Sequence, residues 1–440
     1  MHDAIDLRDL AEWELRQLRE TGFDVDEEER RLAELADGSA AELGALLDDL
    51  AKKEATGDRS GWSYVEPTDW TELAATLTQP APAAPPTGED LANRIHGAWL
   101  GRVAGNMLGK PVESGDHWTP EHLRSYLELA GAWPLDDYIP LMDPVPEGYR
   151  ILPNASQTTR GNVHGSSRDD DVDYTVLGLH LLEHHGTDLT PQHVADAWRL
   201  LLPLHQTYTA ERVAYRNLAL GLRAPATAVY RNPYREWIGA QIRGDAFGYV
   251  FPGDPASAAR LAYQDAILSH VANGVYGEMW AAAVVAAAFT AGSVREALEV
   301  SCGVVPPASR LAEALRDVLD MHSRGLTWEA ARAEIGQRYG HYGWVHTINN
   351  AAVVAAGLLW GDGDFTRTIA LTVLGGWDTD SNGATAGSVA GALVGAGAIP
   401  RHWVDPLEDR LRSALFGFDG SRISDLAART TRLAERFRAR

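Results

Sequence analysis

Three consecutive aspartates, Asp169, Asp170 and Asp171, stand where the segment SSRDDDVDYTVLGLHLLE turns into a helical pattern. Carboxylates at a helix start can act as caps, because they accept hydrogen bonds from the first N–H groups and face the positive end of the dipole. Capping needs one or two of them, and three adjacent carboxylates repel one another unless a cation lies among them. Because hard divalent ions such as Mg²⁺ and Ca²⁺ bind oxygen-only clusters, this run is a candidate metal site.

A second acidic run, WDTDSNG, provides Asp378, Asp380 and the hydroxyl of Ser381 at the start of another helical segment. A turn would explain SNG but not the two flanking aspartates. The residues that follow are almost all Gly, Ala, Ser and Thr, so this helix can pack closely against a neighbour and bring its start into a shared site. The two acidic helix starts together predict one dinuclear site, in which a metal pair would clamp a substrate oxygen and polarise a water.

The elements that must position these carboxylates are predicted to be helices. Helical spacing of apolar residues dominates from Leu91 onward and strand signals are few, so the predicted fold class is all-α. The segment ANRIHGAWLGRVAGNMLGKPVE repeats Gly97, Gly101, Gly105 and Gly109 with a period of four, which places them on one helix face. Glycine costs ~1 kcal/mol relative to alanine inside a helix. Four glycines in register therefore predict very close packing against a second helix.

Composition shifts divide the chain into four predicted regions. Residues 1–56 read as a helical, acidic N-terminal extension, and residues 57–90 as a Pro/Ala-rich linker. The aromatic stretch GWSYVEPTDW inside the linker is expected to pack on the main body or to cover an opening in it. Residues 91–420 form the predicted catalytic domain, and residues 421–440 an arginine-rich amphipathic helix expected to dock on it.

Charge and cysteine content exclude several classes of protein. The formal charge of −22 argues against a nucleic-acid partner, because such binding depends on Lys and Arg that neutralise phosphates. The apolar runs are too short to span a bilayer, and the first residues lack the pattern of a signal peptide, so no membrane partner is expected. Cys302 is the single cysteine, which excludes an intramolecular disulfide and a cysteine-rich zinc site. A cytoplasmic location is the expectation.

Four motifs, in this order, resemble those of the ADP-ribosylglycohydrolase family. They are GAWLGRVAGNMLGKPVE, RDDDVDYTVLGL, AILSHVANGVYGEMWAAAVVAAAF and GGWDTDSNGATAGSVAGALVGAGAIP, and the match runs from about Leu91 to Leu415. The resemblance implies a compact orthogonal bundle of helices, two Mg²⁺ ions and hydrolysis at the anomeric carbon of ADP-ribose. The implied partner is an ADP-ribosylated protein or a small molecule that carries ADP-ribose.

The resemblance also implies roles for individual residues. Six residues match the metal ligands: Asp169, Asp170, Asp171, Asp378, Asp380 and Ser381. Glu113 matches an acidic residue that positions substrate or water, so Glu113 and Asp171 are the expected catalytic residues. Six further residues are expected to bind substrate: His270, Asn273, Gly274, Gly277, Arg243 and Asp245. Two departures from the family pattern are Asp169 in place of a threonine and Asn106 in place of an aspartate.

Several alternatives stay open on the sequence alone. Glu113 could be a surface residue after the Lys110-Pro111 turn, and His270 a hydrogen-bonded core histidine. The favoured function is Mg²⁺-dependent cleavage of the N- or O-glycosidic bond between ADP-ribose and an acceptor. A ribosyl hydrolase acting on a nucleoside or an NAD-derived metabolite is the second hypothesis, because DTDSN is similar to the Asp-x-Asp motif of nucleoside hydrolases. An ADP-ribose-binding pseudoenzyme or immunity-type protein is the third, and the intact metal ligands argue against it.

Overall fold

The fold is almost entirely helical, as the sequence predicts. The computed structural model of the chain describes residues 6–35 and 38–439. Within these ranges it contains 22 α-helices and one small antiparallel sheet of two strands, β1 (Arg410–Leu411) and β2 (Ser421–Arg422). No helix in the described part of the chain combines the length and the apolar character needed to cross a membrane.

The N-terminal extension is a small bundle of three helices followed by an extended segment. The first four helices are α1 (Leu7–Glu20), α2 (Asp26–Glu34), α3 (Ala40–Thr56) and α4 (Trp70–Ala74). Leu10, Leu18, Leu46 and Leu50 are fully buried, and their apolar cluster continues into Trp237 of the main body. Local sequence sets the helix starts, since the Asp6 carboxylate caps α1, and Ser39 and Glu42 form a capping box on α3.

Residues 57–90, the predicted linker, lie along the surface of the main body. Backbone hydrogen bonds hold this segment at three points, from Val65 N to Ala308 O (3.0 Å), Thr78 N to Gly303 O (3.1 Å) and Ala83 N to Gly253 O (2.8 Å). Its aromatic part also packs on the body, where Tyr276 and Tyr263 donate to backbone oxygens of Pro67 and Thr68. The linker is therefore fixed to the main body at several points along its length.

The main body contains the remaining 18 helices of the described residues. They are α5 (Gly88–Gly109), α6 (Pro120–Leu129), α7 (Ala155–Thr158), α8 (Asp170–His185), α9 (Pro191–Leu201), α10 (Thr209–Ala219), α11 (Ala226–Val229), α12 (Asp245–Val250), α13 (Pro255–Ala266), α14 (Ala272–Ala288), α15 (Val294–Ser301), α16 (Arg310–Ser323), α17 (Trp328–Tyr339), α18 (Thr347–Gly361), α19 (Phe365–Leu374), α20 (Thr379–Val394), α21 (Arg401–Val404) and α22 (Ile423–Arg438). Two of these helices, α14 and α18, are mostly apolar and buried along almost their whole length. They form the centre of the core.

Helices α5 and α20 run antiparallel in direct backbone contact. The opposing glycine pairs are Gly97 with Gly391, Gly101 with Gly387, and Gly105 with Gly383. A Cβ atom at any of these six positions would overlap the carbonyl oxygen of the opposing glycine, so the close packing predicted from the glycine period is confirmed. The contact places the C-terminal end of α5 beside the start of α20, where Thr379 Oγ1 donates to Gly109 O at 2.9 Å.

The C-terminal helix α22 docks on the main body through its apolar face. Leu426, Leu433 and Ala434 of this helix are buried in the common core. Phe437 stacks on Phe251 with 5.4 Å between ring centroids, so the predicted amphipathic helix closes the fold beside α5 and α12.

Candidate active site

The two acidic runs and Glu113 come together beside the C-terminal end of α5. Asp169, Asp171 and Asp380 form one group, and Glu113, Asp378 and Asp380 form a second. Within each group, one oxygen of every carboxylate lies within 4.8 Å of the others. Because Asp380 belongs to both groups, the five carboxylates make one continuous cluster built from three separate segments of the chain.

The start of α8 is held in place by α5. Asp169 Oδ1 accepts a hydrogen bond of 3.1 Å from Asp171 N, so this aspartate is also a helix cap. Arg102 donates to the backbone oxygen of Asp171 at 2.7 Å, and Asn106 Nδ2 donates to Asp171 Oδ2 at 3.1 Å. Asp171 Oδ1 is buried and has no hydrogen-bond partner among the described residues. Arg102 Nη2 lies 3.9 Å from this oxygen, beyond hydrogen-bond distance. A buried anionic oxygen without a hydrogen bond fits a cation, because buried carboxylates are otherwise hydrogen-bonded.

The start of α20 follows a strained turn. Trp377 has φ of 62°, a left-handed conformation that is unfavourable for a bulky side chain. Arg332 stabilises this turn, since its guanidinium lies 4.2 Å from the Trp377 ring centroid and its Nε donates to Gly375 O at 2.6 Å. Asn350 Oδ1 then accepts a hydrogen bond from Asp378 N at 3.2 Å. The turn thereby fixes Asp378 at the cluster and the Trp377 indole beside it.

Lys110 is a site residue that the sequence analysis did not single out. Its Nζ lies 2.8 Å from Glu113 Oε2 and 2.8 Å from Asp380 Oδ2, and it also pairs with Asp169 Oδ2. The available sequence signal was its position three residues before Glu113, a spacing that lets two side chains meet on one turn of helix. Glu113 itself is at the cluster, so it is not an unattached surface residue.

The five carboxylates of the cluster outnumber the single ammonium group of Lys110. Burial, and then repulsion from Asp380, raises the pKa of both Glu113 and Asp378 well above the usual range. Burial also acts to raise the pKa of Asp169, but Lys110, a hydrogen bond with Asp171 and the charge of Arg168 together outweigh it, and the net pKa is lowered. Carboxylates with raised pKa values gain from a further cation, so the donor set fits a divalent metal.

Asp170 has a different place from its two neighbours. It is half-buried and belongs to neither carboxylate group, although it lines the cavity described below. Burial and the charge of Asp169 raise the pKa of Asp170 to about 8. Its expected role as a metal ligand therefore stays a prediction.

A cavity of about 700 Å³ opens beside the carboxylates. Lys110, Arg16 and Arg212 contribute positive charge to its lining. Six aromatic residues line it as well: Trp13, Tyr208, Trp237, Tyr342, Trp344 and Trp377. Ligand sites in proteins typically measure ~300–1,000 Å³, and this one combines anionic, cationic and aromatic surfaces.

Comparisons with known proteins identify the family of the chain. A family model described as ADP-ribosylglycohydrolase matches residues 87–440. The chain belongs to the ADP-ribosylglycohydrolase family. A solved structure described as an "ADP-ribosylglycohydrolase-related protein complex" shares 19% sequence identity at a TM-score of 0.46, over 79% of this chain and 100% of that chain. No protein with a curated description matches the chain.

The cavity of this family member includes residues from outside the family match. Trp13 and Arg16 belong to α1 of the extension, which the matched residues 87–440 do not contain. Arg235 anchors α1 through two hydrogen bonds of 2.9 Å to Glu14. The Trp13 ring then meets Trp237 edge to face at 5.0 Å. The extension thus forms part of the cavity wall.

All six residues expected to bind substrate are described by the structure, and none of them lines the cavity. Arg243 pairs at 2.6 Å with Glu211, which does line it, and also pairs with Asp265. His270 Nδ1 shares a hydrogen bond of 2.8 Å with Ser269 Oγ, and burial followed by the charge of Arg243 lowers its pKa well below normal. His270 is therefore buried and neutral, and its expected contact with substrate stays a prediction.

The other four residues expected to bind substrate also lie outside the cavity lining. Asp245 pairs with Arg102 at 2.8 Å, and Asn273 Nδ2 donates to Glu236 at 2.9 Å. Gly274 and Gly277 permit close packing, since a Cβ at either position would meet atoms of neighbouring segments. These four residues contact other parts of the protein, and their expected contact with substrate stays a prediction.

Proposed function

We propose that this member of the ADP-ribosylglycohydrolase family is a Mg²⁺-dependent hydrolase. It cleaves the N- or O-glycosidic bond between ADP-ribose and an acceptor, which is a protein side chain or a small molecule. The observation that carries this proposal is the pair of three-carboxylate groups sharing Asp380 beside a cavity of about 700 Å³. Family membership supports glycohydrolase chemistry in general.

The carboxylate cluster is the proposed metal site. Asp169, Asp171 and Asp380 are one proposed set of metal ligands, and Glu113, Asp378 and Asp380 are the other. The buried Asp171 Oδ1, which has no hydrogen bond among the described residues, and the raised pKa of Asp171 support this fit. When bound, Mg²⁺ supplies a Lewis acid at the anomeric end of the ribose. The resemblance implies two such ions.

Glu113 is the proposed proton carrier. Its side chain is 28% exposed and lines the cavity, whereas Asp171 is 2% exposed. Because Lys110 pairs with Oε2 of Glu113, Oε1 is the oxygen that would orient a water molecule and take its proton. Asp171, which also lines the cavity, would help to hold the metal in place. The surrounding carboxylates would stabilise the positive charge of an oxocarbenium-like transition state.

The rest of the cavity suits the remainder of ADP-ribose. Arg16 and Arg212 line it, and guanidinium groups bind phosphate oxygens in bidentate fashion. The Arg212 guanidinium lies 5.5 Å from the Tyr208 ring centroid, which limits its orientations. Trp13, Tyr208 and Trp344, none of which is fully buried, offer apolar ring faces for the adenine. These groups would orient the diphosphate and base so that the glycosidic bond lies at the carboxylates.

Release of ADP-ribose from arginine-linked and serine-linked substrates tests the proposal. Wild type, Asp380→Asn and Asp188→Asn would be compared with Mg²⁺ and with chelator. Asp188 is a matched control because it is exposed just past the far end of α8, the helix that begins at the cluster. We expect release that needs metal, survives Asp188→Asn and falls at least ~100-fold in Asp380→Asn, a loss typical for an essential electrostatic group.

The outcomes separate the three hypotheses. Release that persists in chelator and in Asp380→Asn would contradict the metal-dependent mechanism. Hydrolysis of nucleosides or NAD-derived ribosides, without release from either protein linkage, would favour the ribosyl hydrolase. Tight binding of ADP-ribose without any turnover would favour the pseudoenzyme.

A further inference from the structure

The ammonium group of Lys110 lies inside the carboxylate cluster. Its Nζ is 2.8 Å from Glu113 Oε2 and from Asp380 Oδ2, and it also contacts Asp169 Oδ2. An ammonium group carries three N–H donors, and three carboxylates surround this one. Lys110 is therefore a fully paired cation among the residues proposed to bind metal.

The close contact of α5 and α20 fixes this position. Lys110 directly follows Gly109, whose carbonyl oxygen accepts the hydrogen bond from Thr379 Oγ1 at 2.9 Å. A short 3₁₀ turn, Lys110–Val112, then leads to Glu113. The Lys110 side chain is only 15% exposed. Because a buried ammonium needs carboxylates to offset its lost hydration, the side chain belongs to the folded core and is not a surface contact.

Lys110 contacts members of both carboxylate groups. Asp169 and Asp380 belong to the first group, and Glu113 and Asp380 belong to the second. Asp380, the residue common to both, already directs one oxygen at the ammonium. A divalent ion bound between the two groups would lie next to this positive charge, and like charges at such short range repel strongly in a buried site.

We propose that Lys110 supplies one of the two cationic positions of the cluster, so that the protein binds a single divalent ion. This inference rests on the proposed metal-dependent function. Lys110 pairs with Glu113, Asp169 and Asp380, so the donors left for the remaining ion are Asp171 and Ser381, whose Oγ donates to Asp171 Oδ2 at 3.4 Å. Asp171 also provides the buried Oδ1 that has no hydrogen-bond partner in the described part of the chain. Asp378, at the same α20 start as Ser381, belongs to the group with Glu113 and Asp380 and is the further carboxylate available to this ion.

The number of bound ions tests the inference directly. Metal-free protein would be titrated with Mn²⁺, and bound ions would be counted by equilibrium dialysis. The electron paramagnetic resonance spectrum would report whether two Mn²⁺ ions are magnetically coupled. The variants are Lys110→Met, which removes the charge at similar length, and Lys52→Met, an exposed lysine of α3 that serves as the control. Lys110→Gln is a second neutral variant, for use if Lys110→Met lacks the native circular dichroism spectrum.

We expect one uncoupled Mn²⁺ in wild type and Lys52→Met, and two coupled Mn²⁺ in the neutral Lys110 variants. Two ions in wild type would overturn the inference while leaving metal-dependent ADP-ribose release, and hence the proposed function, intact. A single ion in folded Lys110→Met and Lys110→Gln would also overturn it. The expected counts without any release of ADP-ribose would support the lysine assignment and contradict the proposed hydrolase. No bound ion in wild type would overturn both.

Discussion

The substitution Gly105→Ala tests whether the carboxylate cluster depends on the direct contact of α5 with α20. A Cβ atom at position 105 would overlap the carbonyl group of Gly383 and lie 3.2 Å from Ala384 N. All three atoms are backbone atoms of α20, so no side chain can rotate away to make room. The two helices must therefore separate or tilt to accept a single methyl group.

Two opposing effects set the size of the change. Alanine is favoured over glycine in a helix interior by up to ~1 kcal/mol. Overpacking of a well-packed contact costs ~1–3 kcal/mol, and more where backbone must shift. Because backbone must shift here, we expect Gly105→Ala to lower the free energy of unfolding by roughly 1–2 kcal/mol or more.

The same displacement reaches the carboxylates. Lys110 and Glu113 follow the end of α5, whereas Asp380 begins α20, so a shift between the helices moves the two halves of the cluster apart. A misplacement of ~1 Å at a reacting centre can cost ~100-fold in rate. Metal affinity and ADP-ribose release should therefore fall together with stability in Gly105→Ala.

The control for this experiment is Gly44→Ala. Gly44 is also a buried helical glycine, in α3, but its Cβ would have as nearest neighbour Arg231 Nη2, a flexible side-chain atom 3.4 Å away. Urea unfolding followed by tryptophan fluorescence gives both stabilities, and Mn²⁺ titration gives both metal affinities. If Gly105→Ala matched Gly44→Ala in stability and metal binding, the reasoning from helix contact would be refuted.

Two further predictions concern the extension and the network that holds it. Trp13→Ala should raise KM for an ADP-ribosyl substrate roughly tenfold with kcat little changed, since aromatic stacking on a base contributes ~1–3 kcal/mol. The control is Trp133→Ala, because Trp133 lies outside the cavity lining. Equal KM values in the two variants would contradict the role of Trp13. Burial acts to raise the pKa of Glu236, but Arg310, His346 and Asn273 together outweigh it and lower the pKa to about 2. The folded pKa thus lies below the unfolded value of ~4.3, so the stabilisation by Glu236 is complete above that pH and is lost as the pH falls toward about 2. Glu236→Gln should flatten the rise of unfolding free energy with pH across this window, and an unchanged slope would contradict the linkage.

The sequence predicted the parts of the site that depend on local pattern. The period of four in Gly97, Gly101 and Gly105 has few explanations other than helix contact, because repeated glycine is unfavourable in an isolated helix. The acidic runs were informative for a similar reason, since neighbouring carboxylates such as Asp169 and Asp171 need a cation when buried. The fold class and the meeting of the two runs followed from these features and from the family resemblance.

The rest of the site depends on long-range packing, which local pattern does not encode. Trp13 reaches the cavity because Glu14 pairs with Arg235, and these two partners are 221 residues apart in sequence. Lys110 resembled an ordinary turn residue before proline, and its burial follows from how α5 meets α20. For His270, the sequence identified a polar residue among apolar ones but not the direction in which its ring points.

The site divides between the part of the chain that matches the family and the part that does not. All five clustered carboxylates lie within residues 87–440, and α5 and α20 hold them together. The cavity lining also includes Trp13 and Arg16, which lie outside the match. Their helix is held to the segment that contains Arg235 and Trp237. Substitutions along the α5–α20 contact should therefore decide whether the reaction occurs at all. Substitutions in α1 should instead change which substrates fit, because they alter the shape and charge of the cavity without moving the carboxylates.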